Sequence, residues 1–209
     1  MFILLVDILI LGLSLYLLIR IFIEMRGTVL KKLKYPKVQC ARCGSCCRIP
    51  FVPVTHKDLE RLVKATGKPA GRIVRFCTFS EMEFDPESGL WISFKSGRRA
   101  MILRRKNGRC IFQTPKRACA EYEARPQTCR TFPYDVSFED EKSGVVDEIA
   151  LNTVLACKAE KCPKIDLEML VANVRKENKE DKEYHKLVWA WNESGEKGGT
   201  ADFLKHIGF

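Results

Sequence analysis

Histidine is scarce in this chain: 209 residues contain only His56, His185 and His206, none of them next to a cysteine group. Any metal site is therefore expected to be all sulfur, unless the fold brings a histidine in from a distance. No glycine-rich cofactor loop follows a strand signal and no general base stands out, so nothing marks the chain directly as an enzyme. No internal repeat is present. Acidic residues are missing from two stretches. Residues 26–37 carry Arg26, Lys31, Lys32, Lys34 and Lys37, and residues 95–109 carry Lys95, Arg98, Arg99, Arg104, Arg105, Lys106 and Arg109. These two stretches outweigh the net charge of +10, so the remainder is slightly acidic and the basic character is local. The second stretch fits a nucleic-acid- or lipid-facing patch, and equally a strand edge guarded by charge. It has no interleaved aromatics and no nucleic-acid motif, and no nucleic-acid partner is expected.

What the chain does have is sulfur. Ten cysteines are present, four of them in Cys40-Ala41-Arg42-Cys43-Gly44-Ser45-Cys46-Cys47. Two-residue gaps in a turn-rich backbone aim several side chains at one point, as metal loops require. Gly44 supplies the positive φ such a loop needs near its centre. The adjacent pair Cys46 and Cys47 diverges, so one of the two is expected to serve elsewhere. Further cysteines follow at Cys77, Cys110, Cys119, Cys129, Cys157 and Cys162. Clustering this tight reads as metal ligation in a reducing compartment rather than as a disulfide framework.

Residues 2–23 form a long apolar run, with Asp7 and Arg20 near its ends. As a helix it would measure about 33 Å, enough to cross a bilayer core. No basic residue precedes it and no A-x-A-like cleavage site follows, which argues against a signal peptide. The expectation is a single-pass transmembrane helix at the cell membrane. A basic segment over 24–37 then places the C-terminal domain in the cytoplasm and offers a contact for anionic lipid headgroups. A buried core helix is the other reading.

Beyond the cysteine loop, residues 49–54 read as extended around Pro50 and Pro53. Thr55 to Asp58 resembles a capping box opening a helix through about Thr66, closed by Gly67. Residues 73–113 read as a β-meander with turns at 85–89 and 96–97, ending in a hairpin at Lys106-Asn107-Gly108 that delivers Cys110. Strands return over 135–154 around a loop at 139–144. Apolar residues at three- and four-residue steps from Leu167 to Trp191 predict an amphipathic helix over 166–192, as one helix or two. Residues 193–209 read as a flexible tail with one or two terminal turns at most. The fold class expected is α+β, a small β-meander with cysteine-rich metal loops over 38–165 and flanking helices, preceded by the transmembrane helix.

With both cysteine groups placed, the pattern resembles the YkgJ-type cysteine-cluster family, a zinc- or iron-chelating domain with a CxxCxxCC signature. The matching residues are Cys40, Cys43, Cys46 and Cys47, then Gly108-x-Cys110-x-Phe112. Cys119-x-x-Tyr122-x-x-Arg125-Pro126-x-x-Cys129-Arg130-x-Phe132-Pro133 completes the match. The resemblance covers roughly residues 38–135 and implies metal chelation without fixing one activity. Some relatives are flagellin lysine methylases, so it also implies a protein lysine N-methylase-like enzyme as an alternative. Cys77 falls outside the pattern and is taken as a buried thiol.

The candidate metal ligands are Cys40, Cys43, Cys46, Cys47, Cys110, Cys119, Cys129, Cys157 and Cys162. Three cysteines at two-residue gaps plus a distant cysteine before proline match a 4Fe–4S arrangement. Here Cys40, Cys43 and Cys46 give the triple and Cys162-Pro163 the distant partner, in competition with Cys119 and Cys129. An iron–sulfur cluster is favoured, with zinc the alternative. Four thiolates carry excess negative charge, which Arg42, Arg48, Arg125 and Arg130 are placed to offset; pairing of Arg125 and Arg130 with Glu121 and Glu123 is the competing reading. The function expected is a membrane-anchored iron–sulfur or zinc protein with redox or electron transfer as its use. A structural zinc module for partner binding is a further alternative.

Overall fold

A computed structural model describes residues 12–21, 44–82, 85, 87–139, 145–151, 166–195 and 198–209. One compact unit takes the described residues of 1–36 and 136–150; a larger one takes those of 37–135 and 151–209.

The smaller unit contains helix α1, residues 12–21, and most of a two-stranded ribbon. Among the described residues no helix is long and apolar enough to cross a membrane, which corrects the transmembrane helix expected over 2–23. The apolar side chains of the described helical residues, Leu13 to Ile21, stand exposed. The rest of that run and the basic segment 24–37 lie outside the described residues. The ribbon pairs β6, Tyr134–Phe138, with β7, Val146–Leu151, and buries Val146 and Ile149.

The larger unit is built on a three-stranded antiparallel sheet of β1, Val74–Thr78, β2, Trp91–Phe94, and β3, Gly97–Leu103. The spatial order is β1-β3-β2, which corrects the expected meander. The connection over 79–90 is long enough to carry the chain past one strand position, which leaves the centre to β3. β3 is buried on both faces, as its run Ala100-Met101-Ile102-Leu103 requires. Pro53 bridges to Ile102, while the Val54 N–H donates to the Met101 carbonyl and the Leu103 N–H to the Val52 carbonyl. The segment leaving the first cysteine group is thereby stitched directly to the central strand. A second small ribbon, β4, Arg105–Lys106, and β5, Arg109–Cys110, turns at Asn107 and Gly108, both at positive φ, as the Asn-Gly signal demands.

Helix α2, His56–Thr66, starts at a capping box in which Thr55 accepts from the Asp58 N–H and Asp58 accepts from the Thr55 N–H; it ends at Gly67 in the left-handed conformation. A short helix α3, Ala70–Ile73, leads into β1, and α4, Gln127–Thr131, carries Cys129. Helix α5, Leu167–Glu193, is one continuous helix of 27 residues, packed on α2, α4 and β2. Helix α6, Thr200–His206, lies where a flexible tail was expected, and its Phe203 is fully buried. Phe203 meets Phe76, Phe94 and Trp191 edge-on, with ring centroids 5.5 to 6.1 Å apart. The apolar core gathers these aromatics with Leu59, Leu62, Ile73, Ile92 and Val188. On the sheet's opposite face Cys77 is buried among Met82, Trp91, Ala100 and Ile102.

Candidate metal centre

Four separate segments of the larger unit deliver thiols to one pocket. The first is the turn at Gly44, which has φ +70. A Cβ there would stand 2.2 Å from the Arg117 carbonyl oxygen and 2.5 Å from Gln113 Nε2, so only glycine fits. Gln113 Nε2 donates to the Gly44 carbonyl at 3.1 Å, and a 3-10 turn over Cys46–Arg48 follows. Cys46 and Cys47 emerge from that turn. Arg105 braces it from the β4–β5 ribbon, donating to the carbonyls of Cys47 (2.9 Å), Ile49 and Gly108. The same ribbon ends on Cys110. A tight loop, in which the Thr114 N–H donates to the Ala118 carbonyl, presents Cys119 through a bridge to Gln113. Finally α4 presents Cys129.

Cys46, Cys47, Cys110, Cys119 and Cys129 line a cavity of about 60 Å³, whose wall also includes apolar side chains such as Val52, Leu103, Phe112 and Phe132 and the charged residues Arg117, Glu121 and Arg125. All five thiols are free and partly buried. Cys40, Cys43, Cys157, Cys162 and Arg42 lie outside the described residues. Cys77 is not at the pocket: its thiol packs 3.5 Å from Met82 Sδ.

The thiols influence one another. The Cys47 thiol donates toward Cys110 and Cys46, which raises Cys47 and lowers both partners to about 7. Burial opposes the lowering, and nearby guanidinium groups, Arg125 for Cys46 and Arg105 for Cys110, add to it. Burial pushes Cys119 up and Cys129 well up. A metal entering here would displace protons from the raised thiols.

The arginines near the site bond to backbone. Arg125 stacks on the Tyr122 ring at 3.6 Å and donates to the Tyr122 carbonyl. Arg130 donates to the carbonyls of Arg125 (3.2 Å) and Glu123. Arg48 is exposed. Arg104, counted in the basic stretch, donates to the carbonyls of Gly71 and Val74 at 2.9 and 3.0 Å. Two members of that stretch, Arg104 and Arg105, thus serve as backbone clamps. The sequence signal that could have found Arg105 is its place at the root of the Asn-Gly hairpin.

The donor set suits a soft metal: the five side chains are thiols, and no imidazole lines the pocket. Among the described residues no three donors close around a single point.

Comparison with known proteins matches residues 39–158 to a family model described as "CxxCxxCC: Putative zinc- or iron-chelating domain". The chain is also 32% identical over 104 residues to the uncharacterized protein MJ0661 of Methanocaldococcus jannaschii. That match covers 49% of this chain and 48% of the relative, so the chain spans about half the length of the curated relative it matches. No solved structure matches.

Proposed function

The chain belongs to this family of zinc- or iron-chelating CxxCxxCC domains, and we propose that its metal sits in the five-thiol pocket as an iron–sulfur cluster used for electron transfer. The observation that carries the reading is the convergence of Cys46, Cys47, Cys110, Cys119 and Cys129, from four segments, on one cavity. A single zinc held by four thiolates at ~2.3 Å leaves no open volume among its ligands, and takes only four of them. Five thiols at one pocket, one more than a single zinc takes, favour a larger, polynuclear group. Such a group, when bound, supplies reversible one-electron chemistry.

The chain's own residues do the rest. The apolar wall of Val52, Leu103, Phe112 and Phe132 keeps water back, which favours the less charged form of the site. Arg125 and Arg105 bring positive charge to Cys46 and Cys110 while their donors hold the loops in shape. The cysteines are half-buried residues, with the Cys129 thiol the most deeply buried, which leaves the centre close enough to the surface for a protein donor or acceptor to approach.

The test is element analysis, acid-labile sulfide and visible absorption on protein purified without oxygen. Iron and sulfide in equal amounts, with a broad visible band bleached by dithionite, is the expected result. Stoichiometric zinc without sulfide would overturn the cluster and leave a structural zinc centre. Neither metal would overturn the pocket as the family's chelating site.

A further inference from the structure

At the start of α4, two residues before Cys129, lies a charged cluster that metal ligation does not explain. Asp58 is 2% exposed, yet its carboxylate accepts four hydrogen bonds. Oδ2 accepts from the Thr55 N–H at 3.0 Å and the Thr55 hydroxyl at 3.2 Å. Oδ1 accepts from Arg61 Nη2 and, at 2.9 Å, from the Gln127 N–H. The last bond leaves α2 altogether and catches the first residue of α4. Arg61 then forks onto Glu180 of α5, Nη1 to Oε1 and Nη2 to Oε2, both at 2.7 Å.

Helix α4 has five residues, too few to hold its own shape without outside partners. The Gln127 N–H is one of the helix-start donors that has no partner within the helix. Gln127's side-chain amide is buried with neither end hydrogen-bonded, so its backbone is what fixes it. The Thr131 hydroxyl, two residues past Cys129, lies within reach of the Gln127 and Thr128 carbonyls at 3.3 Å, so α4 is tied within itself as well as to Asp58. Burying two carboxylates against one guanidinium is a costly way to join helices, and apolar packing would do it as well or better. What charged, directional bonds add is geometry.

We propose that Asp58, locked by Arg61 and Glu180, is a positioning residue that sets α4 so that Cys129 meets the metal. The proposal rests on the metal reading above. Asp58 does not touch the metal; it acts through Gln127 and Cys129.

The test uses the full chain, reduced and metal-free, titrated with Co²⁺ against a competing chelator. Wild type is compared with Asp58→Ala, Cys129→Ala and the double variant. Thiolate-to-cobalt charge-transfer absorption counts the sulfur ligands, and far-UV circular dichroism of the metal-free proteins checks folding. Asp58→Ala is expected to lower Co²⁺ affinity about 10–100-fold, the range for partners that orient ligands. It is also expected to lose one thiolate's share of the absorption, and to cost nothing further in the Cys129→Ala background. Because Asp58→Ala also removes a helix cap, Glu180→Gln provides a milder second variant. Its smaller affinity loss is expected to disappear when Cys129 is already alanine. Additive losses, or full charge-transfer intensity in both Asp58→Ala and Glu180→Gln, overturn the clamp. Wild-type protein without sulfur-to-cobalt absorption overturns the metal reading, and the clamp with it.

Discussion

The two ends of the larger unit are closed by different forces. At one end, α6 and the C-terminal turns of α5 seal the sheet with hydrocarbon: Phe76, Phe94, Trp191 and Phe203 pack ring against ring. Asn192 locks that contact by donating to the Trp91 carbonyl and accepting from the Ser93 N–H. At the other end, the cysteine pocket has thiols where a core would have methyl groups. Its loops are held by side chains bonded to backbone carbonyls, Arg105, Gln113, Arg125 and Arg130. The first end is stabilised by burial, which needs no ligand. The second is shaped by these backbone bonds and, on the metal reading proposed above, gains further closure when its thiols bind. A chain of this size can therefore be folded at one end and ligand-dependent at the other.

The largest effect that would sharpen this contrast is metal removal. Chelation should speed amide exchange over residues 44–49 and 108–129 by orders of magnitude while β1, β2 and β3 stay protected. Equal loss at both ends would erase the distinction. Next comes Phe203→Ala, expected to cost about 3–5 kcal/mol by opening a cavity in the aromatic core. Denaturant unfolding should show the same loss with and without metal. Gly44→Ala acts at the opposite end: left-handed strain alone costs about 1–2 kcal/mol, and the clash with the Arg117 carbonyl adds to it. This variant should lose metal affinity more than it loses metal-free stability.

The smallest effect concerns the polar layer between the two ends. Burial, helped by Glu177, Asp58 and Glu180, raises the Asp181 carboxyl from 3.8 to about 7. A raised carboxyl binds its proton more tightly when folded, so its contribution is fully present below about pH 4 and is lost as pH rises through 7. Asp181→Asn should flatten that decline and gain about 1 kcal/mol at pH 8 after allowing for partial exposure, or about 2–4 °C in Tm. A thermal melt series from pH 4 to 8 reads it directly.

Features written within a few residues of each other were legible. Thr55 and Asp58 announced the start of α2, Gly67 its end, Asn107 and Gly108 the hairpin, and Gly44 the positive-φ turn. Of the nine cysteines expected as ligands, Cys46, Cys47, Cys110, Cys119 and Cys129 line one pocket, and Cys40, Cys43, Cys157 and Cys162 lie outside the described residues. The apolar run 2–23 misled: hydropathy alone suggested a span, and among the described residues no helix is long and apolar enough to cross a membrane. The central place of β3 was hidden because strand order depends on a long connection, not on the strands. The tail was misread because Phe203 is one aromatic in a polar, glycine-rich context, and its burial depends on a sheet more than a hundred residues earlier.

Residue spacing by itself determined where several helices and turns begin, and that the cysteines follow the pattern of a zinc- or iron-chelating family. Only the tertiary structure decided which thiols face a common cavity, that Arg105 props the first cysteine turn, and that Asp58 reaches α4 through the Gln127 N–H. The physical reason is range. Caps, turns and metal-loop spacings are set by contacts a few residues apart. The Arg61–Glu180 pair closes over 119 residues of chain, and no local preference specifies a bond at that distance.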